Sequence, residues 1–375
     1  MKKQAPFYIF VLYIVWALLL VAAVLISLNS KAVDKCKYYD IKVAASEKAK
    51  ECFDAIKDYK LNHGMEISKE DINNTGLIGL RSSFITTTSG QLQAKRTSTN
   101  PDFASVAIDM FKELHLKEGD EVGVTLSGSF PALNISILCA IETFKLKPCV
   151  MVSIGASTYG ANDPDFTFYD MVKYLNDTGF LNVKVNYVSL GGTDDIGLNF
   201  SDVTGKLSED EEKELLEKIK TRISSDSAIF IYEKNYLDNV NLRMNYFSKD
   251  VRKMKLFINV GGNQISIGVD EAGFISRNGL IKSNSSYLDK KLSNKAGLIE
   301  RYLSKGVNVA QFLNIKGLAS KYNLPYDYVG EITIGESDVY YEETYNIAVC
   351  VVALSISVLF LGIIVYFRKK KIYNY

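Results

Sequence analysis

Residues 121–154 read EVGVTLSGSFPALNISILCAIETFKLKPCVMVSI, and this stretch decides the predicted fold. Glu121 to Ser127 predicts a strand, Ala132 to about Phe144 predicts a helix, and Pro148 to Ile154 predicts a second strand. A strand–helix–strand unit of roughly 35 residues is typical of two parallel strands in one sheet. The stretch therefore predicts an α/β domain.

Strand and helix patterns alternate through the rest of the central sequence. The predicted strands cover residues 183–190, 228–232 and 255–260. The predicted helices cover residues 43–60, 100–116, 209–223, 298–303 and 309–322. Residues 73–99 are rich in Gly, Ser and Thr and predict a loop or hairpin region. We expect an α/β fold whose mainly parallel sheet carries helices on both faces.

Two long uncharged segments, Phe7 to Leu28 and Ile347 to Phe367, flank this central sequence. Each matches the roughly 20 apolar residues that cross a bilayer as a helix. The first exceeds the apolar core of about 7–15 residues in a signal peptide, and residues 28–32 form a poor cleavage site. We therefore expect two transmembrane helices that anchor the domain in the lipid bilayer.

Basic residues lie at the outer ends of both segments, with Lys2 and Lys3 before the first and residues 368–371 (RKKK) after the second. Cytoplasmic flanks carry such an excess of Lys and Arg. The sequence thus predicts a two-pass protein of the cell (inner) membrane with cytoplasmic termini and an extracytoplasmic main domain. The expected regions are a tip with the first helix (1–28), a stalk helix with the Gly/Ser/Thr-rich region (29–99), the α/β domain (100–345) and a second helix with a basic tail (346–375).

The composition is that of a folded protein without a strong overall charge. The chain has 375 residues, with 44 Lys+Arg, 43 Asp+Glu and 47% hydrophobic residues, which excludes a disordered chain. Setting aside the six terminal cations leaves 38 basic against 43 acidic residues in the middle, about −5 in net charge. We therefore expect no nucleic-acid partner and only local anion sites.

Four cysteines, Cys36, Cys52, Cys139 and Cys149, lie in the expected outer region, and Cys350 lies in the second apolar segment. Outside the cytoplasm the four can form disulfides in three connectivities, of which Cys36–Cys52 and Cys139–Cys149 are nearest in sequence. Buried free thiols are the alternative. The spacing fits no zinc site.

Small polar residues follow four of the predicted strands. In open parallel sheets, ligands bind beyond the carboxyl ends of the strands, so these residues are the expected ligand-binding site. The candidates are Ser127, Gly128 and Ser129; Ser153, Gly155 and Ser157; Gly191 and Gly192; and Gly261, Gly262 and Asn263. The alternative is that glycine after a strand serves the turn alone.

Ser129 lies between a predicted strand and a predicted helix, where a nucleophile can sit. Residues 125–131 (TLSGSFP) do not match the G-x-S-x-G elbow, and neither His63 nor His115 is placed as a general base. A Ser–His–Asp triad is therefore not expected. The N-cap of the following helix is the favoured local role of Ser129.

Two further clusters carry charge. Asn162 and Asp163, with the acids that follow, could hold a cation, but Asp163-Pro164-Asp165 is more typical of a turn that caps a helix, so no metal site is predicted. Lys95 and Arg96 could bind carboxylates, since arginine grips a carboxylate through two parallel bonds. A solvated pair of cations is the commoner role of such neighbours.

The central block resembles one known family, the poly-γ-glutamate system protein, most clearly between about Gly76 and Asp170. The residues that carry the resemblance are Ile85 to Thr88, Gly90 to Leu92, Ala94 to Ser98, Asn100 to Ala104, Gly128 to Asn134 and Gly155 to Asn162. Members of that family accompany the bacterial machinery that makes and exports poly-γ-glutamate. The resemblance implies a pathway, with no catalytic residue or cofactor to carry over.

Three functional hypotheses follow. The first is a membrane-anchored component of a poly-γ-glutamate (or similar anionic surface polymer) system that binds the polymer or a glutamyl precursor through the strand-end loops. The second is an extracytoplasmic hydrolase or transferase on γ-glutamyl bonds that uses Ser129 or the Asp163 region. The third is a scaffold whose membrane helices hold partner proteins of the polymer synthase.

Overall fold

The computed structural model describes residues 5–29, 31–197, 208–224, 227–247, 253–269, 277–284, 286, 288 and 291–373. The chain divides into two compact units. One comprises Met1–Lys37 with Tyr341–Tyr375, and the other comprises Tyr38–Tyr340.

The larger unit contains nine strands and ten α-helices among its described residues. The strands are β2 (Thr86–Thr88), β3 (Glu121–Ser127), β4 (Lys147–Ser153), β5 (Ala156–Ser157), β6 (Val185–Ser189), β7 (Ile229–Ile231), β8 (Met254–Val260), β9 (Gly279–Ile281) and β10 (Asn308–Phe312). The helices are α2 (Tyr39–Asn62), α3 (Leu92–Ser98), α4 (Phe103–Glu113), α5 (Pro131–Thr143), α6 (Phe168–Asp177), α7 (Glu209–Ser224), α8 (Tyr236–Phe247), α9 (Gln264–Ile267), α10 (Leu298–Ser304) and α11 (Ile315–Lys321).

Seven strands form one sheet in the order β7-β6-β4-β3-β8-β10-β9. All neighbours pair in parallel except β9 and β10, which are antiparallel. From β3 the chain moves outward through β4 and β6 to β7, and then returns to place β8 on the other side of β3. The order of strands therefore reverses between β3 and β8.

Apolar side chains cover both faces of the central strands. Phe257 of β8 lies in a buried cluster with Phe247 of α8 and Tyr302 of α10. Ile258, the next residue of the strand, is also fully buried, and successive side chains of a strand point to opposite faces. Helix α2 packs against α4 and α5. The predicted α/β class with a mainly parallel sheet is confirmed.

Two sequence predictions are wrong in detail. Residues 309–322 are not one helix, because Asn308–Phe312 forms the buried strand β10 and only Ile315–Lys321 is helical. Residues 73–99 are not free of helix, because Leu92–Ser98 forms α3. In the first case a continuous apolar run suits a buried strand as well as a helix.

The smaller unit contains α1 (Ala5–Asn29), β1 (Lys31–Lys35), β11 (Tyr341–Tyr345) and α12 (Ile347–Tyr373). β1 and β11 pair antiparallel, with Lys31 opposite Tyr345. Among the residues that the structure describes, no helix combines the length and apolarity needed to cross a membrane. Lys2 and Lys3, on which the predicted orientation partly depends, lie outside the described residues.

Candidate functional site

The carboxyl ends of β3 and β8 lie side by side where the order of strands reverses. Leu126 of β3 is in register with Val260 of β8, so Ser127 and Gly261 are the next residues on each side. In open α/β sheets the crevice at such a reversal is the usual ligand site. We refer to the space bounded by Ser127–Ser129 and Gly261–Asn263 as the switch-point crevice.

Glycine at 261 permits this close approach, whereas glycine at 262 leaves space open. Gly261 has φ +88°, and a Cβ there would lie 2.8 Å from Ser127 Cβ. Gly262 is exposed, and a Cβ there would meet only Leu313 Cδ1, at 3.6 Å. A side chain at 261 would therefore strain the fold, while one at 262 would extend from the rim of the crevice.

Ser129 is held by its own loop and is partly exposed. Ser127 Oγ lies 3.0 Å from Ser129 Oγ and accepts a hydrogen bond from Ser129 N at 3.2 Å. Phe130, not Ser129, occupies the N-cap position of α5, so the predicted N-cap role of Ser129 is wrong. Its hydroxyl is free of a helix-capping bond and can face a ligand.

Lys95 and Ser157 lie behind Ser129. Lys95 Nζ donates to the carbonyl oxygen of Ser129 and to Ser157 Oγ, 2.7 Å away, and lies 3.9 Å from the centre of the Phe130 ring. The backbone N–H of Ser157 donates to Ser129 Oγ at 3.0 Å. We call Lys95, Ser127, Ser129 and Ser157 the Ser–Lys cluster.

Lys95 is buried without a counter-charge. Its side chain is 1% exposed, and no carboxylate within the described part of the chain forms an ion pair with it. Burial alone lowers the pKa of Lys95 to about 7, because a charged amine is poorly solvated there. The expectation of a solvated Lys95–Arg96 pair is therefore wrong for Lys95.

Residues 80–90, which include β2, cover the Ser–Lys cluster, and we call them the covering segment. β2 pairs with β5, and Asn162 fastens the segment by accepting from Leu80 N and donating to Leu80 O and Thr86 Oγ1, all at 2.9 Å. A Cβ at Gly90 would lie 2.9 Å from both Lys95 Cε and Ser157 Oγ. Asn162, a predicted site residue, thus holds the covering segment in place.

A buried ion pair joins the loop after β6 to helix α8. Asp195 pairs with Arg243, and the two side chains are 1% and 2% exposed. Asp195 Oδ1 also accepts from Ser189 Oγ, Gly191 N and Asn263 Nδ2 at 3.0, 3.1 and 3.2 Å. Burial lowers the pKa of Arg243 to about 9, which leaves it charged at neutral pH. The network fixes the loop that begins at Gly191.

The remaining predicted site residues do not all lie at the switch-point crevice. Ser153 and Gly155 are buried, Gly155 N donates to Leu190 O at 2.7 Å, and Gly192 is partly exposed. Asp163 Oδ1 accepts from Asp165 N at 2.9 Å, which is the turn that the sequence favoured, but Thr167 and Asp170 cap the helix α6 that follows. Ser153 and Gly155 therefore support neighbouring strand ends.

Arg96 lies in a different environment from Lys95. It donates to Glu70 O at 2.7 Å, pairs with Glu70 at 3.1 Å, and lies 3.7 Å from Asp327. It lines a cavity of about 430 Å³, together with Lys57 and Asn100. Although Lys95 and Arg96 are neighbours in the chain, they serve separate parts of the domain.

Asn100 brings an unused donor to this cavity. Its Oδ1 accepts from Asp102 N at 2.8 Å, which fixes the orientation of the amide. Its Nδ2 is buried and has no hydrogen-bond partner within the described residues. A buried donor without a partner is costly, so the cavity favours a ligand or water oxygen at this point.

Sequence reasoning missed two parts of this region, namely the burial of Lys95 against Ser157 and the Asp195–Arg243 pair. The partners lie 62 and 48 residues apart, so no local pattern links them. Comparison with known proteins adds no assignment, since no protein-family model, curated protein or solved structure matches the chain significantly.

Proposed function

We propose that this chain is a membrane-anchored component of a poly-γ-glutamate (or similar anionic surface polymer) system, whose α/β domain binds the polymer or a glutamyl precursor at the switch-point crevice. The observation that carries the proposal is the meeting of Ser127–Ser129 with Gly261–Asn263 where the strand order reverses. The resemblance to the poly-γ-glutamate system protein supplies the ligand class.

Two separate places, the switch-point crevice and the cavity lined by Arg96, suit a chain of amide bonds that bears carboxylates. At the crevice, Ser129 offers a hydroxyl and the open position at Gly262 lets a ligand approach the backbone closely. In the Arg96 cavity, Lys57, Arg96 and the unpaired Nδ2 of Asn100 offer donors to carboxylate oxygens. A polyanion is thus recognised by local donors on a domain whose overall charge is slightly negative.

The anchoring proposal depends on the uncharged sequences of residues 7–28 and 347–367, which lie in α1 and α12, although no helix among the described residues combines the length and apolarity needed to cross a membrane. Both are long helices with few polar residues outside the basic tail, at 25 and 27 residues. We propose that they hold the protein in the cell membrane with both termini in the cytoplasm. In that arrangement the domain meets the polymer on its outer side, and the membrane helices contact partner proteins of the synthase.

The test is binding of a γ-linked glutamate oligomer to the full-length protein in detergent at low ionic strength, measured by calorimetry. An α-linked glutamate oligomer of equal length is the control for charge alone. We expect the γ-linked oligomer to bind more tightly, and Gly262→Val to weaken this binding because the new side chain occupies the crevice rim.

Ser89→Ala, an exposed change in the covering segment, is the matched control and should leave binding unchanged. The proposal fails if the γ-linked oligomer does not bind at low salt. It fails equally if the two oligomers bind alike and Gly262→Val has no effect, because that result describes unspecific attraction of a polyanion.

A further inference from the structure

The Ser–Lys cluster has the parts of a catalytic centre. We infer that Ser129, Ser157 and Lys95 form an acyl-transfer centre, in which Ser129 is the nucleophile, Lys95 is the general base and Ser157 links the two. Serine–lysine arrangements are a known alternative to Ser–His–Asp triads. The substrate class is an amide or ester, and its narrowing to γ-glutamyl amides rests on the proposed function.

Ser157 contacts both of the other groups. Its Oγ lies 2.7 Å from Lys95 Nζ, and its backbone N–H donates to Ser129 Oγ at 3.0 Å. A base must lie within hydrogen-bond reach of the proton that it removes, directly or through one intervening group. Ser157 Oγ contacts Lys95 and is not hydrogen-bonded to Ser129 Oγ within the described part of the chain, so its hydroxyl must turn towards Ser129 to act as that group. The Ser157 N–H favours the negative charge that develops on Ser129 Oγ.

Lys95 is suited to accept a proton. Nζ contacts the carbonyl of Ser129, the hydroxyl of Ser157 and the ring of Phe130, and none of these holds a negative charge. Because burial lowers the pKa of Lys95 to about 7, a large fraction of the amine is neutral at physiological pH. An ordinary surface lysine would be almost entirely protonated there.

Exposure identifies Ser129 rather than Ser157 as the nucleophile. Ser157 is 6% exposed and lies under Gly90, whose Cβ would be 2.9 Å from Ser157 Oγ. Ser129 is partly exposed at the switch-point crevice. A substrate carbonyl can therefore reach Ser129, while Ser157 and Lys95 are shielded from water.

The reaction balances with water or an amine as the second substrate. Ser129 Oγ attacks the carbonyl carbon while its proton passes to Ser157 Oγ, which must first rotate about its Cα–Cβ bond towards Ser129, and the Ser157 proton passes to neutral Lys95. The tetrahedral intermediate collapses, the carbon–nitrogen bond breaks, and the leaving amine takes the proton back by the same route. Water then hydrolyses the ester on Ser129, or a second amine accepts the acyl group.

A purely structural Lys95 would make the same contacts as a charged donor. Arginine distinguishes the two roles. It keeps the charge and the donors, so it could replace a structural Lys95, but it does not release a proton and could not replace a base. The two roles also differ in pH dependence. A base must be neutral, so the reactivity of Ser129 should rise as the pH increases through about 7.

The experiment uses the full-length protein in detergent with a fluorophosphonate probe, which forms a phosphorus–oxygen bond with an activated serine and releases fluoride. Peptide mass spectrometry locates the adduct. We expect labelling of Ser129 that is lost in Ser129→Ala and slowed by about 10²–10⁴-fold in Lys95→Met, Lys95→Arg and Ser157→Ala. Ser89→Ala and Lys117→Met, both exposed, are the controls.

Wild-type protein alone provides a second measurement in case a Lys95 variant does not fold. Its labelling rate should increase with pH around an inflection near 7. The inference is overturned if Ser129 is not labelled, if its labelling rate has no such inflection, or if folded Lys95→Arg reacts as fast as wild type. Oligomer binding without labelling would leave the proposed function standing, and labelling without oligomer binding would leave the centre standing.

Discussion

Lys95 Nζ lies 2.7 Å from Ser157 Oγ, and no carboxylate among the described residues forms an ion pair with this buried amine. The contact joins α3 to β5 and places an amine behind Ser129. A buried amine without a carboxylate destabilises the folded protein whenever it is protonated. The contact therefore links the stability of the domain to pH.

The first prediction concerns this pH dependence. The pKa of Lys95 is about 7 in the folded protein and about 10.4 in an unfolded chain, so between these values the unfolded state binds the extra proton. The free energy of unfolding must then rise with pH from about 7 to 10. Below pH 7 Lys95 is protonated in both states, so the full destabilisation by the buried charge is present. Denaturation of wild type and Lys95→Met at several pH values measures it.

We expect Lys95→Met to gain most in free energy of unfolding relative to wild type at pH 6. This advantage should decrease as the pH rises to 10, because wild type becomes more stable. Lys117→Met controls for loss of an exposed cation. A difference that is constant with pH would mean that Lys95 keeps an ordinary pKa in the folded protein.

The second prediction separates two neighbouring glycines. Gly261→Ala should lower the free energy of unfolding by about 1–3 kcal/mol, because φ is +88° and the new Cβ would lie 2.8 Å from Ser127 Cβ. Gly262→Ala should change it by less than about 0.5 kcal/mol, because its Cβ meets only Leu313 at 3.6 Å. Urea unfolding of the two variants checks this, and equal losses would contradict the geometry of the crevice.

The third prediction concerns Asp195 and Arg243. Asp195→Asn should cost about 3–5 kcal/mol of stability, since it leaves the buried guanidinium without a counter-charge. The double change with Arg243→Met should cost less than the sum of the single changes. Urea unfolding of all four proteins gives the coupling energy.

The exposed pair Lys173–Asp177 provides a matched control. Its side chains are 43% and 61% exposed, so Asp177→Asn should change stability by about 0.5 kcal/mol or less. If Asp195→Asn were equally mild, the Asp195 network would not be what fixes the loop after β6.

The central strands of the sheet could be predicted from the sequence because their ends are clearly marked. Residues 121–154 predict β3, α5 and β4 correctly, since apolar runs there end at small polar residues. Residues 309–322 were misjudged because the buried strand β10 has no polar alternation. The useful signal was Asn314, whose side chain accepts from Gly317 N at 2.9 Å and starts α11.

Only part of the candidate site could be predicted from the sequence. Strand ends predicted Ser129 and Gly262, because a parallel sheet brings its carboxyl ends together. The burial of Lys95 was hidden because its neighbours Ala94 and Arg96 are typical of a solvated helix turn. Its environment is created by Ser157 and Phe130, which are distant in sequence, so only the folded chain reveals the lowered pKa.

The fourth prediction concerns Cys52 of α2 and Cys139 of α5. Their Sγ atoms are 3.7 Å apart and both are buried free thiols in the structure, which contains neither of the pairings nearest in sequence, since Cys36 and Cys149 are free as well. A disulfide needs about 2.0 Å between the sulfur atoms, a small approach between two packed helices. Because disulfides persist outside the cytoplasm, the proposed location of the domain implies that Cys52 and Cys139 are joined in protein isolated from cells.

Non-reducing peptide mapping should find a Cys52–Cys139 crosslink that Cys52→Ser abolishes and Cys149→Ser leaves intact. Reduction should lower stability by about 3–5 kcal/mol, because the bridge closes a long loop. Burial raises the pKa of Cys139, so free thiols must be alkylated after denaturation to be counted. Complete alkylation of both cysteines without reduction would argue against an oxidising environment, and with it against the proposed outward placement of the domain.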